Sequence, residues 1–182
     1  MHPRIEELLN YIDEERAKLR ATIETVPTNR RSASPTPETW SVTQVVDHVA
    51  VTERRITAMF RKAVNDGRAA GLAAETESTP QLAELNPDQF ADRSRKLVGP
   101  PAVNPSGASD TEAALAALES ARHEFRLAVL EADGLAIGEL TAPHPYFGPL
   151  TLYRWIAFIG GHDARHAKQI QEIDASLVLQ SA

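Results

Sequence analysis

Apolar residues recur along this chain in steps of three and four, in four separate stretches. In the first, Ile5, Leu8, Leu9, Ile12, Leu19, Ile23 and Val26 share one face, and Glu6, Glu7, Asp13, Glu14, Lys18 and Arg20 share the other. That period predicts an amphipathic helix over residues 3–26, opened by Pro3 and closed by Pro27. A Ser-, Thr- and Pro-rich loop follows over 28–39. Ser41 and Gln44 then have the spacing of a capping box, and Trp40 and Val45 that of a hydrophobic staple. The second helix runs to about residue 70 on Val42, Val45, Val49, Ile56, Met59 and Phe60. Ser109-Asp110-Thr111-Glu112 repeats the capping-box spacing and opens a third helix to about residue 132, stopped by Asp133-Gly134. Its apolar face holds Leu115, Leu118, Ala121, Phe125 and either Val129 or Leu130. The fourth helix spans about 151–175, with Thr151 as cap and Leu152, Trp155, Ile156, Ile159, Ile170 and Ile173 as its stripe.

The connections are uneven. Residues 71–108 carry Gly71, Pro80, Pro87, Gly99, Pro100, Pro101, Pro105 and Gly107. They read as irregular, with a short helix at Pro87–Ala91 and an extended run from Pro100 to Pro105. A segment of this length is expected to wrap the bundle or cover one end of it. Residues 135–149, with Pro143, Pro145 and Pro149, read as loop. No strand array is evident. The fold class is therefore all-α, a four-helix bundle with a long connection between helices two and three. The length of 182 residues suits a single domain over 1–182.

Composition narrows the function. A formal net charge of −6 argues against nucleic-acid binding, which favours a basic face. No apolar run approaches a membrane span, and the first residues lack the pattern of a signal peptide, so a cytoplasmic location is expected. The chain has no cysteine. Disulfides, thiolate ligands and a cysteine nucleophile are excluded, and any metal must take nitrogen and oxygen ligands.

His162 and His166 continue the stripe 155, 159, 162, 166, 170 of the fourth helix, so both aim inward. Two histidines four apart stand side by side and can share one divalent metal. The competing reading is a pair of packed core histidines. His48 lies at the edge of the stripe of helix two and by itself reads as a partly buried, hydrogen-bonded histidine. His2, His123 and His144 are set aside as terminal, outward-facing and loop residues. The zinc-protease pattern His-Glu-x-x-His is not met, because Asp163 follows His162. Asp163 reads equally as a residue orienting a ligand and as a surface acid. Gln169 can face the edge of the site, Tyr153 and Trp155 read as packing, and neither Glu53 nor Asp163 is assigned as a base. Arg30 and Arg31 read as solvated surface.

Trp40-Ser41 with His48, then Gly148-Pro149-Leu150-Thr151 leading to His162, His166, Gln169 and Ile170, resembles the DinB-like superfamily of four-helix-bundle metalloproteins. The match looks closest to its branch of bacillithiol transferases and metal-dependent hydrolases, and Pro100-Pro101, Val103 and Pro105-Ser106-Gly107 fit that branch as well. The resemblance spans nearly the whole chain. It implies a metal triad on His48, His162 and His166, with zinc or nickel as the divalent ion. It also implies a small-molecule substrate, a low-molecular-weight thiol as possible cosubstrate, and a homodimer. The expected activity is thiol S-transfer or hydrolysis, and the alternative is a non-catalytic metal-binding bundle for sensing, storage or structure. No nucleic-acid or membrane partner is expected.

Overall fold

Six helices and one hairpin make up the described part of the chain, residues 1–94 and 97–180 of a computed structural model. In chain order they are α1 (Pro3–Thr25), α2 (Val42–Ala69), α3 (Leu82–Leu85), α4 (Asp88–Ala91), α5 (Thr111–Glu131), β1 (Thr141–His144), β2 (Gly148–Thr151) and α6 (Leu152–Gln180). The four long helices α1, α2, α5 and α6 are those the periodicity predicts.

Their ends follow from side-chain capping. Gln44 N donates to Ser41 Oγ at 3.2 Å and Ser41 N donates to Gln44 Oε1 at 2.9 Å, completing the capping box of α2. The cap of α5 lies one residue later than its spacing suggests: Asp110 Oδ1 accepts from Ala113 N at 2.9 Å. A carboxylate there also meets the positive end of the helix dipole, which a serine hydroxyl does not. Thr151 Oγ1 accepts from Arg154 N at 3.2 Å and starts α6. α6 runs past residue 175 because the stripe continues through Ile173 to a buried Leu177.

The long helices form a closed ring in the order α1, α6, α2, α5. α1 and α6 run parallel, since Arg16 pairs with Asp163 and Arg30, just beyond α1, pairs with Asp174. α2 and α5 also run parallel, with Thr43 bonded to Thr111 and Arg61 paired with Glu124. Between the pairs the direction reverses: Arg20 meets Glu119, and Asp13 meets Arg126. Two apolar clusters fill the bundle. One holds Ile5 to Ile12, Ile56 to Val64, Phe125 to Ala132 and Leu152 to Ile159; the other holds Leu19 to Val26, Val42 to Ala50, Ala114 to Ala121 and Ala167 to Leu177.

The long connection behaves as expected. Glu75 accepts from Arg4 and from the Tyr153 hydroxyl, and Glu7 accepts from the backbone amides of Gln81 and Leu82, so residues 75–82 are fastened along α1. α4 forms at the expected place, with Phe90 buried against Phe158 of α6. The chain then crosses to α2 as a strap whose Pro101–Val103 segment is a 3₁₀ turn rather than fully extended.

Two further expectations are corrected. Residues 141–151 are not plain loop: β1 pairs antiparallel with β2, Thr141 opposite Thr151 and His144 opposite Gly148. Strands of four residues containing prolines give no readable alternation, and the pairing is held by burying Ala142 and Leu150 on the core. Arg31 is buried rather than solvated, and its Nε donates to the Val26 carbonyl at 2.8 Å, closing the end of α1. Among the described residues no helix is long and apolar enough to cross a membrane.

Candidate metal centre

The sequence aims His162 and His166 inward through the stripe of α6. What lets α6 sit where they are useful is the pair Gly160-Gly161 just before them. A Cβ at Gly160 would lie 2.3 Å from Tyr11 Cε1, and one at Gly161 would lie 2.7 Å from both the Pro87 carbonyl oxygen and Phe90 Cβ. The two glycines therefore let α1 and α4 close directly on α6.

α2 crosses α6 so that His48 faces both histidines. One ring nitrogen from each of His48, His162 and His166 lies within 4.8 Å of the other two, the only such three-residue group of potential metal ligands among the described residues. The His48 ring centroid is 5.3 Å from that of His162 and 4.8 Å from that of His166, and Trp40 covers its other side at 4.9 Å. All three side chains are at most 9% exposed.

Hydrogen bonding decides which nitrogen carries the proton in two of the three rings. The Val103 carbonyl lies 2.6 Å from His48 Nδ1. A carbonyl only accepts, so His48 carries its proton on Nδ1 and a lone pair on Nε2. His166 Nδ1 donates to Gln169 Oε1 at 2.8 Å, which likewise frees Nε2. His162 Nε2 lies 3.1 Å from His166 Nε2. Two nitrogens sharing one tetrahedral zinc at about 2.0–2.1 Å sit about 3.3 Å apart, so the observed separation fits a common ion. Burial pushes the pKa of His48 below its usual value, against the pull of the Val103 carbonyl and Asp47. Burial first, then the neighbouring histidine, pushes His162 and His166 well below theirs. All three are thus neutral near pH 7, the form that donates to a metal. Gln169 lies where the sequence places it, at the edge of the cluster.

Asp163 is neither a surface acid nor a residue orienting the histidines. It is 1% exposed and belongs to a four-member ionic cluster with one member from each long helix. Arg16 Nε and Nη2 donate to Asp163 at 2.9 and 3.2 Å, and Arg16 Nη2 also reaches Glu53 at 2.5 Å. Arg122 Nε donates to Glu53 at 2.6 Å and its Nη2 to Asp163 at 2.8 Å. Nη1 of each arginine donates to a backbone carbonyl, that of Leu118 for Arg16 and that of Ile12 for Arg122. On every long helix the charged member separates the residues of one apolar cluster from those of the other. Its signal in the sequence is a charge standing at an apolar-stripe position: Ile12-Arg16-Leu19, Val49-Glu53-Ile56, Leu118-Arg122-Phe125 and Ile159-Asp163-Ala167.

His144 was set aside as a loop residue, and the structure brings it toward the centre. It sits at the end of β1 with its ring 4.8 Å from Phe158, whose own ring is 5.2 Å from His162. The backbone amides of Tyr146 and Phe147 donate to its Nδ1 at 3.1 and 3.3 Å. Its proton is therefore on Nε2, and burial pulls its pKa down to about 4. It is a neutral donor beside an aromatic wall of Phe147, Trp155 and Phe158. His123, in contrast, is exposed on α5, as expected.

Comparison with known proteins agrees with the four-helix-bundle fold. The chain is 28% identical over 140 residues to the uncharacterized protein YuaE of Bacillus subtilis strain 168, covering 76% of this chain and 80% of that one. Among solved structures it is similar to TT2238, a four-helix bundle protein, with a TM-score of 0.60 and 22% identity over 92% of this chain and 98% of that one. It is also similar to YfiT from Bacillus subtilis, described as a probable metal-dependent hydrolase with an unusual four-helix bundle topology. There the TM-score is 0.59 with 16% identity, over 96% of this chain and 87% of that one. The family model of the DinB superfamily matches residues 5–170. The chain belongs to the DinB superfamily.

Proposed function

We propose that the chain is a metal-dependent enzyme in which His48, His162 and His166 hold one divalent ion, with hydrolysis of a small molecule as the leading reaction. The observation that carries this is the tautomer pattern. Two of three buried, neutral imidazoles have their Nδ1 protons taken by Val103 and Gln169, so their Nε2 lone pairs face one point. A proton on His162 Nε2 satisfies at most one of these two lone pairs, so one stays buried and unmet unless a cation takes it. Three neutral nitrogens suit zinc or nickel and leave coordination positions for substrate.

Held by His48, His162 and His166, a divalent ion would supply Lewis acidity toward water, a thiol or a substrate oxygen. The chain's own residues supply the rest. Val103 and Gln169 orient the ligands, Trp40 and Phe158 wall the cluster from solvent, and His144 presents a neutral N–H near the same wall. Similarity to YfiT supports the hydrolase reading.

Thiol S-transfer is the second reading, favoured by a different observation. The nearby buried carboxylates Glu53 and Asp163 are both engaged by arginines, so neither is free to take a proton from water. A thiol, with a free pKa of about 8.5, needs less help to become a nucleophile.

The test is metal analysis of protein purified without a polyhistidine tag, followed by assays with ester substrates and with small thiols plus electrophiles. Stoichiometric metal that is lost in His162→Ala, with metal-dependent turnover in one panel, is expected. Metal without turnover in either panel points to a binding bundle. Wild-type protein that takes up no metal overturns the proposal.

A further inference from the structure

Two consecutive residues of α2 grip the same strap. Asp47 is 2% exposed, and its carboxylate accepts from Ser106 Oγ at 2.8 and 3.1 Å, from Gly107 N at 2.9 Å and from Ala108 N at 3.2 Å. His48 meets the Val103 carbonyl of that strap at 2.6 Å. Two turns further along, Arg55 Nε donates to the Ala102 carbonyl at 2.7 Å. Residues 102–108 thus form an arch held at both ends by side chains of one helix. The arch turns on Gly107, whose φ of +93° disfavours any side chain.

The Asp47 end cannot lift without stranding a buried carboxylate, because the donors it would lose are those that compensate its burial. A fixed Ser106–Ala108 segment in turn fixes where the Val103 carbonyl stands. That carbonyl excludes the tautomer with a lone pair on Nδ1, since two acceptors would then face each other at 2.6 Å.

We propose that Asp47 is a positioning residue of the centre: by clamping Ser106, Gly107 and Ala108 it holds the Val103 carbonyl over His48 and keeps His48 Nε2 as a lone pair for the metal. The metal half of this statement rests on the proposed three-histidine reading; the tautomer half does not. Asp47 is not among the converging ligands. Its effect passes through His48 alone.

The experiment has two readouts on wild type, Asp47→Ala, Asp47→Asn and the control Asp66→Ala, an exposed acid of the same helix. The first is the tautomer of His48 in metal-free protein, read from its ring ¹⁵N shifts by NMR at slightly alkaline pH. The second is the affinity for Co²⁺, followed by the visible absorption of the bound ion. Asp47→Ala is expected to show a mixed His48 tautomer and a loss of about 10-fold or more in Co²⁺ affinity. Asp47→Asn keeps one acceptor oxygen and should fall between Asp47→Ala and wild type, whereas Asp66→Ala should match wild type. A merely structural Asp47 would lower the unfolding midpoint without moving either readout, and that result overturns the proposal. If Asp47→Ala does not fold, Asp47→Asn and Ser106→Ala carry the same two readouts and decide. Wild-type protein that binds no Co²⁺ overturns the metal reading, while the tautomer shifts still judge the clamp.

Discussion

Arg16 and Asp163 meet across α1 and α6 in a two-pronged contact, Nε and Nη2 of one arginine on the two oxygens of one carboxylate. Arg122 and Glu53 complete a neutral cluster of two cations and two anions, all at most 5% exposed. Ion clusters this deep give little net stability against an apolar alternative, but they are severe when broken, because the partners left behind remain buried and charged.

Asp163→Asn should therefore cost about 3–5 kcal/mol of unfolding free energy, measured by urea titration. Asp66→Asn, which removes the exposed pair with Lys62, should cost less than about 1 kcal/mol. Similar losses in the two variants would show that the cluster is not buried as described.

Gly161→Ala should destabilise by about 1–3 kcal/mol, since the new methyl meets the backbone oxygen of Pro87, which cannot rotate away. Gly160→Ala meets a side chain, Tyr11, and shortening that side chain should relieve it. A double-mutant cycle of Gly160→Ala with Tyr11→Ala should show a favourable coupling of about 0.5 kcal/mol or more. Additive losses would contradict the contact.

Metal-free protein should lose stability as the pH falls below about 6.5. His48, His144, His162 and His166 all have folded-state pKa values below the unfolded one. Between the two values the unfolded chain binds more protons, so stability is fully present above the unfolded pKa and drains away toward acid. For His144 that window runs down to about 4. Asp47 acts later. Its carboxyl is desolvated, yet the Ser106 hydroxyl and the Ala108 and Gly107 amides outweigh this and hold it below its usual value. Its contribution is lost only below about 3.9. Thermal midpoints measured from pH 7.5 to 4.5 should decline, and His144→Gln should flatten part of the slope. A flat profile in wild type would refute neutral, buried histidines.

His144→Phe should leave metal stoichiometry unchanged, because His144 is not among the converging nitrogens. A loss of bound metal would make it a fourth ligand and close the position assigned to substrate.

The long helices were legible because each repeats an apolar stripe over many turns, which averages out exceptions such as the β-branched Val42, Val45 and Val46 at the start of α2, weak helix formers. Ser41-Gln44 and Thr151 were legible as caps because capping depends on residues a few positions apart. The pair His162 and His166 was legible for the same reason. His48 was not: its role depends on how α2 crosses α6, and only the resemblance to a family marked it. The Val103 carbonyl carries no side-chain signal at all, so its bond to His48 could not be read from residue types. Arg16, Arg122, Glu53 and Asp163 stood in plain view at apolar positions, but charge usually indicates solvent, and a four-body pairing has no fixed spacing along the chain. The hairpin that carries His144 was hidden by its shortness and its prolines.

The parallel docking of α1 on α6 has a consequence for how the protein is made. The first and last long helices are side-by-side neighbours, so the ring cannot close until α6 has been synthesised. The side of α1 that packs on α6 stays uncovered until α6 arrives, while α2 and α5, nearer in sequence, have each other to pack against. The histidine pair is delivered by that last helix. The centre is therefore assembled in the same late event that completes the bundle.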